Sequence, residues 1–245
     1  TVRSIDGIVK LDDVSFTANS GEILGIAGIS GCGQKELLEA IAGLQPTENG
    51  SICYVEDDGT REELLGKDPL RIAEMGVALS FVPEDRLGMG LVANMDLTDN
   101  MMLRSFRSGH SFFTDRNKPR KLAQQVVKEL EVVTPSISTP VRRLSGGNVQ
   151  KVLVGREIAS APTVLLTAYA VRGLDINSSY AIYDLVTKQK EKGVAVVFVG
   201  EDLDVLLELC DRILVLCGGK VSGVVEHPTP ADKNRVGLMM TKVGG

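Results

Sequence analysis

Leu144-Ser145-Gly146-Gly147-Asn148-Val149-Gln150-Lys151 is the stretch on which the interpretation of this chain depends. A hydroxyl and two glycines stand directly before residues 149–159, whose pattern predicts a helix. A Ser-Gly-Gly turn at the start of a helix leaves backbone N–H groups unpaired and points the positive end of the helix dipole outward, which suits a phosphate. A serine N-cap before an ordinary helix is the alternative interpretation of these three residues.

The composition predicts a globular protein without a membrane span of its own. The 245 residues suffice for one large or two small domains, and 43% of them are hydrophobic. The net charge is −5 with no basic block, which argues against nucleic acid as the main partner. No apolar run approaches the roughly 20 residues of a transmembrane helix, so any link to a membrane would go through another chain. The chain opens on Thr1 with neither a Met nor a signal-like segment, which suggests a fragment of something longer.

The four cysteines lie far apart in the sequence, without any CxxC spacing: Cys32, Cys53, Cys210 and Cys217. This pattern favours free thiols in a reducing cytoplasm. We therefore predict neither a disulfide nor a metal site.

Strands and helices alternate along the chain, which predicts an α/β fold. Strand-like runs cover residues 8–16, 22–27, 50–55, 77–82, 163–167, 194–199, 213–216 and 220–225. Helical patterns cover residues 34–42, 69–75, 97–103, 115–132, 149–159, 178–190 and 203–209. We expect residues 57–67 to form a polar loop or hairpin.

A glycine-rich loop stands between the second predicted strand and the first predicted helix. Its sequence is Gly28-Ile29-Ser30-Gly31-Cys32-Gly33-Gln34-Lys35-Glu36, which resembles the phosphate-binding loop G-x-x-x-x-G-K-[ST]. Gln34 stands where a lysine should neutralise the β- and γ-phosphates, and Lys35 where a hydroxyl should hold Mg²⁺. Lys35 is itself a candidate replacement for the metal's charge. The glycines alone fit a purely structural turn equally well. The strand before the loop and the helix after it favour a weakened phosphate site, which either still binds ATP or no longer does.

The eight-residue stretch as a whole resembles the LSGGQ-type signature of ATP-binding-cassette (ABC) proteins, in the LSGGN-x-QK form of sugar and nucleoside importers. From residue 21 onward, the order of motifs is similar to that of an ABC nucleotide-binding domain. The resemblance implies a P-loop NTPase-type α/β core at residues 1–85 and 160–245, with a mostly parallel sheet and an antiparallel edge. It also implies an inserted α-helical subdomain at residues 86–159, which carries the signature.

The chain departs from the family pattern at the positions that serve hydrolysis. Residues 168–175 read AYAVRGLD where the family has roughly DEPTRGLD, so Ala168 replaces the Mg²⁺-binding Asp and Tyr169 the Glu that polarises water. Glu84 stands at the Q-loop position in place of Gln, and Glu201 replaces the switch His.

These losses leave the chain with no catalytic residue of its own. No aromatic residue in the segment 3–10 is available to stack on adenine. Positioning, charge and water activation are each worth about 2–4 kcal/mol in comparable enzymes, so we expect little turnover. Drift at an idle site and a rearranged active site both account for the substitutions, and the joint loss favours drift.

In the family, each ATP lies between the P-loop of one domain and the signature of the other. The resemblance therefore implies that this chain offers its signature to the ATP of a competent partner half. Its own loop would hold a second ATP weakly or without hydrolysis, and the substitutions put Mg²⁺ in doubt. The implied nucleotide-contacting positions are Gly28, Ser30, Gly31, Cys32, Gly33, Gln34, Lys35, Glu36, Glu84, Leu144, Ser145, Gly146, Gly147, Asn148 and Asp175.

Several segments resemble the C-terminal domain of tandem importer ATPases: residues 21–28, 82–86 and 172–175. The partner half would then be the N-terminal domain of the same polypeptide. Residues 134–140 and 237–240 resemble the branch that works with basic-membrane-protein-type binding lipoproteins and imports nucleosides or molecules such as riboflavin. Transmembrane permease subunits, docked near residues 84–100, would hold the chain peripherally at the cytoplasmic face of the membrane. An ATP-hydrolysing homodimer and a nucleotide-free scaffold or regulatory module are the rival interpretations.

Overall fold

The structure is a computed structural model that describes residues 1–4, 6–105 and 116–242. The chain divides into two compact units. Unit 1 comprises Thr1–Phe81, Thr163–Tyr169 and Thr187–Gly245, and unit 2 comprises Val82–Pro162 and Ala170–Val186.

Unit 1 holds the sheets. Its strands are β1 (Val2–Arg3), β2 (Val9–Leu11), β3 (Ile23–Gly28), β4 (Cys53–Val55), β5 (Arg61–Glu63), β6 (Leu79–Val82, whose last residue belongs to unit 2), β7 (Val164–Ala168), β8 (Ala195–Val199), β9 (Arg212–Cys217) and β10 (Lys220–Glu226). Its helices are α1 (Gln34–Ile41), α2 (Pro69–Glu74), α7 (Leu203–Leu209) and α8 (Lys233–Thr241). Unit 2 contains α3 (Leu97–Met102), α4 (Asn117–Glu129), α5 (Gly146–Ala159) and most of α6 (Ile176–Glu191).

The main sheet has the order β10-β9-β3-β8-β7-β6. β3 pairs in parallel with β8 and β9, β7 pairs in parallel with β8, and β10 pairs antiparallel to β9. Gly218 and Gly219 have φ values of 56° and 79°, which a two-residue hairpin turn between β9 and β10 requires. The predicted α/β fold, with a mostly parallel sheet and an antiparallel edge, is confirmed.

The central strands are apolar on both faces, as strands covered from two sides must be. Every residue of β8 is buried. One hydrophobic cluster joins α1 to the sheet, with Leu38, Ile26, Leu166 and Val197 among its members. This packing fixes the start of α1 at the carboxyl end of β3, which is where the glycine-rich loop lies.

Several predicted boundaries move. The strand predicted at residues 8–16 is limited to Val9–Leu11, because its partner β1 is only two residues long. The helix predicted at residues 115–132 covers Asn117–Glu129, and residue 115 lies outside the described residues. α8 was not predicted at all. The polar segment 57–67 contains β5, which forms an antiparallel hairpin with β4.

The four cysteines are free thiols, as predicted. Cys210 is buried, and burial raises the pKa of its thiol. A Cβ on Gly25 would lie 2.6 Å from Cys210 Sγ, so the thiol packs directly against β3 as a small apolar group.

Candidate functional site

The glycine-rich loop of unit 1 has the backbone of a phosphate-binding turn. Gly31 and Gly33 have φ values of 87° and 99°, which side chains disfavour. A Cβ on Gly33 would lie 2.6 Å from the carbonyl oxygen of Lys10. Gly33 is also the N-cap of α1, so the cap has no side-chain oxygen to pair with the first-turn N–H groups. The first-turn amides of α1 therefore have no side-chain cap.

Gln34 lies at the lysine position, and its side chain belongs to the loop itself. The residue is 2% exposed, and its Nε2 donates a hydrogen bond to the carbonyl oxygen of Ile29 at 3.2 Å. A Cβ on Gly28 would lie 2.6 Å from that same nitrogen. Gln34 stabilises the turn and supplies no positive charge to a phosphate.

Lys35, the candidate substitute for the metal's charge, is exposed and lies along its own helix. Its Nζ is 3.7 Å from Oε1 of Glu39, one turn further on. Burial is the main cause that raises the pKa of Glu39, and the charge of Lys35 opposes that shift. The Lys35 end of this pair is in solvent, whereas the Glu39 side chain is only 13% exposed. An i,i+4 pair on a helix contributes about 0.3–0.5 kcal/mol, so Lys35 can turn toward another anion at little cost.

The end of β7 offers no metal ligand. Ala168 is its last residue, is buried, and lies opposite Val199 of β8. Tyr169 follows with a φ of 51°, and its N–H donates to the Val199 carbonyl at 3.0 Å. Glu201 is exposed just beyond β8.

No group of three His, Cys, Asp or Glu side chains within residues 1–4, 6–105 and 116–242 has the arrangement that a metal ion needs. Methyl and phenol groups at positions 168 and 169 cannot bind Mg²⁺ or accept a proton at neutral pH. Positions 168 and 169 therefore supply no ligand for Mg²⁺.

In unit 2, the signature forms the N-terminus of α5. The helix begins at Gly146, three residues before its predicted start, and Ser145 is its N-cap. Ser145 Oγ accepts hydrogen bonds from the Asn148 backbone N–H at 3.4 Å and from Asn148 Nδ2 at 2.9 Å. Asn148 Oδ1 in turn accepts from the N–H of Val133 at 2.9 Å. The serine cap is therefore present, and it shapes the same turn that a phosphate would meet.

The two signature glycines lack side chains where other residues of this chain approach closely. A Cβ on Gly147 would lie 2.9 Å from Ser178 Oγ and 3.7 Å from Asp175 Oδ2. Asp175 accepts from the backbone N–H of Ser178 at 2.9 Å and from its hydroxyl at 2.7 Å. These bonds, the backbone one first, lower the pKa of Asp175. The structure thus brings Asp175 to the N-terminus of the signature helix.

Glu84 lies beside Arg172, with which it forms an ion pair. The Arg86 guanidinium donates to the Arg172 carbonyl oxygen, and a Cβ on Gly146 would lie 3.3 Å from one of its nitrogens. Partial burial lowers the pKa of Arg86. Sequence reasoning missed Arg86 and Ser178 as site neighbours, although the spacing Asp-x-x-Ser at 175–178 is a helix-capping signal that could have identified Ser178.

The predicted site residues therefore form two groups. The first group, residues 28–36, lies in the loop and the first turn of α1 in unit 1. The second group, residues 144–148, lies at the N-terminus of α5 in unit 2, next to Asp175. Glu84 is connected to this second group indirectly, because it pairs with Arg172, which is bonded by Arg86 beside Gly146.

Comparison with known proteins gives a consistent family. A family model described as ABC transporter matches residues 11–167. Xylose import ATP-binding protein XylG of Moorella thermoacetica is 37% identical over 97% of this chain and 45% of its own length. Guanosine import ATP-binding protein NupO of Bacillus subtilis is 34% identical over 98% of this chain and 46% of its own length. The chain spans about half the length of the relatives it matches.

Solved structures share the fold. The dimeric bacterial ABC transporter cassette MJ0796 is 24% identical, with a TM-score of 0.75 over 89% of this chain and 90% of its own. A nucleotide-free ATP-binding cassette from an ABC transporter is 19% identical, with a TM-score of 0.72 over 94% of this chain and 89% of its own. The fold is therefore the P-loop NTPase cassette that the sequence predicted.

Proposed function

Because the chain belongs to the ABC transporter family of ATP-binding domains, we propose that it is the non-hydrolysing half of an importer ATPase. In this role it presents Ser145, Gly146 and Gly147 to an ATP held by a competent partner domain. The relatives that resemble it are named as import proteins for sugars and for guanosine, so we propose a sugar, nucleoside or related small molecule as the imported substrate.

One contrast carries this proposal. The N-terminus of α5 has its serine cap and two glycines in place, with Asp175 beside them. The end of β7, where the family holds a metal and a general base, has Ala168 and Tyr169. A domain with this pair of features can contribute to a partner's nucleotide site and lacks the groups to hydrolyse at its own.

At its own loop we propose weak ATP binding without Mg²⁺. The first-turn amides of α1 favour a phosphate. Gln34 donates to Ile29 and brings no charge, so the electrostatic attraction that a lysine would add is missing.

We propose that the competent half is the N-terminal domain of the same polypeptide. The support is length: nearly all of this chain aligns with less than half of each relative. We further propose that residues 1–85 and 160–245 act as the nucleotide-binding core and residues 86–159 as the helical subdomain. Units 1 and 2 divide the chain similarly, but Ala170–Val186 of the proposed core belongs to unit 2.

No described helix is both long and apolar enough to cross a membrane. We propose that the segment 84–100 docks permease subunits, which hold the chain peripherally at the cytoplasmic face and receive substrate from a binding lipoprotein. Four large apolar side chains of this segment are exposed, as a docking surface for an apolar partner requires: Leu87, Met89, Val92 and Met95.

The test uses the importer assembled with its partner half. Ser145→Arg in this chain should lower MgATP hydrolysis at least about 100-fold, because a large side chain blocks amides that stabilise the transferred phosphoryl group. The same substitution at exposed Ser138 is the matched control and should leave turnover unchanged. If Ser145→Arg hydrolyses ATP as fast as the control, the signature serves no nucleotide and the proposal is wrong.

Two measurements on the chain alone separate the rival functions. MgATP hydrolysis well above that of Ser145→Arg would identify an active homodimer. Titration with a fluorescent ATP analogue that gives no binding would identify a nucleotide-free scaffold. We expect measurable binding and no hydrolysis above background.

A further inference from the structure

Asn100 is fully buried on α3, and its side chain binds one short loop of unit 2. Nδ2 donates to the carbonyl oxygens of Val92, Met95 and Asp96 at 3.2, 3.2 and 3.0 Å. Oδ1 accepts from the backbone N–H of Val92 at 2.8 Å. A single buried amide thus binds four backbone groups of the loop 92–96. The three carbonyl oxygens also accept from backbone N–H groups: that of Val92 from Met95, that of Met95 from Val141 and that of Asp96 from Asn100 itself.

The same loop is hydrogen-bonded to the chain that leads into the signature. The N–H of Val141 donates to the Met95 carbonyl oxygen and the N–H of Arg142 to that of Ala93, both at 3.1 Å. The N–H of Leu144 then donates to Val141 at 3.1 Å, directly before the Ser145 cap. Two backbone hydrogen bonds and one turn therefore connect the loop 92–96 to Ser145.

The other side of this loop faces solvent with apolar groups. Val92 and Met95 are exposed, while the intervening backbone carbonyls point to Asn100 and to residues 141–142. A partner that packs on Val92 and Met95 would contact the loop whose backbone is hydrogen-bonded to residues 141–142, just before the signature.

We propose that Asn100 is a positioning residue: it fixes the loop 92–96 so that contact of the permease with Val92 and Met95 sets the position of Ser145. This inference rests on the proposed function for the identity of the partner. Asn100 is fully buried and acts through the loop.

The first test is amide hydrogen exchange on the full chain. Asn100→Asp keeps the shape and the acceptor for Val92 but removes the donor to three carbonyls. The N–H groups of Val141 and Arg142 should exchange at least about tenfold faster than in the wild type, relative to the Leu153 amide of α5. Met101→Ala is the matched control, because Met101 is the next residue of α3, is fully buried and is not bonded to the loop. It should accelerate the three amides together.

The second test is a double-mutant cycle in the assembled importer, with MgATP turnover as the readout. Met95→Asp and Asn100→Asp should each lower turnover at least about tenfold. The double variant should be no more than about twofold slower than the slower single variant, because both changes disrupt the same connection between the permease and Ser145. In the double variant of Met95→Asp and Met101→Ala, the two fold-losses in turnover should instead multiply, since a general loss of stability is independent of docking.

The outcomes are separable. Unchanged exchange at Val141 and Arg142, or multiplying effects of Met95→Asp and Asn100→Asp, would overturn the role of Asn100. Turnover that survives Ser145→Arg would overturn the proposed function instead, whatever the exchange data give.

Discussion

The side-chain amide of Gln34 donates a hydrogen bond to the backbone carbonyl of Ile29, with 3.2 Å between Nε2 and the oxygen. The residue at the lysine position of the phosphate-binding loop thus closes its own turn. A family member with lysine here would direct the charge outward to a phosphate. The loop therefore keeps the shape of a phosphate-binding turn but lacks the positive charge of the lysine.

Gln34→Lys should restore this charge, with opposite effects on stability and on nucleotide affinity. An ammonium at a position that is 2% exposed is desolvated, so the free energy of unfolding should fall by about 1–3 kcal/mol without nucleotide. Affinity for a fluorescent ATP analogue should rise about tenfold, since a charge-assisted bond to phosphate is gained. Hydrolysis should stay at background, because Ala168 and Tyr169 are unchanged.

Lys35→Gln is the control for charge in the same turn. Lys35 is exposed and pairs weakly with Glu39, so its loss should change stability by less than about 1 kcal/mol. Equal gains in affinity from Gln34→Lys and from an exposed lysine placed elsewhere on α1 would contradict a specific effect at position 34.

Gly147→Ala should damage function more than stability. Alanine gains up to about 1 kcal/mol in helix propensity over glycine. Its Cβ would, however, lie 2.9 Å from Ser178 Oγ and displace the hydroxyl from Asp175, at a cost of about 1 kcal/mol. Urea unfolding should therefore show little net change, while MgATP turnover of the assembled importer falls at least about tenfold.

A matched pair of variants tests the cause. Gly146→Ala meets the far end of the Arg86 side chain at 3.3 Å, which can move aside, so its effect should be smaller. Ser178→Ala combined with Gly147→Ala removes the close contact and should recover part of the turnover. If both alanine variants act alike, the Ser178 contact is not the reason.

Asp175→Asn should show a pH-dependent effect on stability. Hydrogen bonds from the backbone N–H and then the hydroxyl of Ser178 hold the pKa of Asp175 below its ordinary value of 3.8. A carboxyl whose pKa is lowered by folding stabilises the fold above its unfolded pKa, and this stabilisation is lost as the pH falls through the folded value. The variant should therefore unfold more easily than the wild type at neutral pH, and the difference should shrink below pH 3.8.

Urea unfolding between about pH 7 and pH 3 measures this. Asp232→Asn gives an independent comparison, since the N–H of Thr229 lowers the pKa of Asp232 in the same way. A difference between Asp175→Asn and the wild type that is constant with pH would show that shape, not ionisation, matters at this position.

Local patterns predicted most strands and most helices of the fold, because apolar periodicity reports directly on which face is buried. The two-residue strand β1 was not predicted. The start of α5 was wrong by three residues. Gly146 and Gly147 are poor helix formers, but the first turn has unpaired N–H groups in any helix, and a serine cap is enough to begin it there. α8 was missed because its two buried residues, Val236 and Met239, make only a weak pattern in a polar segment.

Contacts between distant segments could not be predicted. Glu84 and Arg172 are 88 residues apart in the sequence, and nothing local in either segment indicates that they form an ion pair. The same holds for the four bonds of Asn100, since a buried asparagine in a helix looks like any polar residue until its surroundings are known. The loop and the signature were identified by motif, whereas their supporting residues required the structure.

Glu157→Ala should be the most destabilising of the changes considered. Glu157 is fully buried on α5 and is bonded by Arg104 and by Arg156, whose Nε lies 2.9 Å from Oε1. Burial, with the charge of Arg104 second, lowers the pKa of Arg156 to about 10, so the Arg156 guanidinium stays charged at neutral pH. Removing the carboxylate leaves the buried Arg156 guanidinium without its counter-charge and beside the partly exposed Arg104, which should cost about 3–5 kcal/mol in urea unfolding. Arg71→Ala, which breaks the exposed Arg71–Glu74 pair, is the control and should cost less than about 1 kcal/mol. Equal losses of unfolding free energy in the two variants would mean that the buried cluster stabilises the fold no more than an exposed ion pair does.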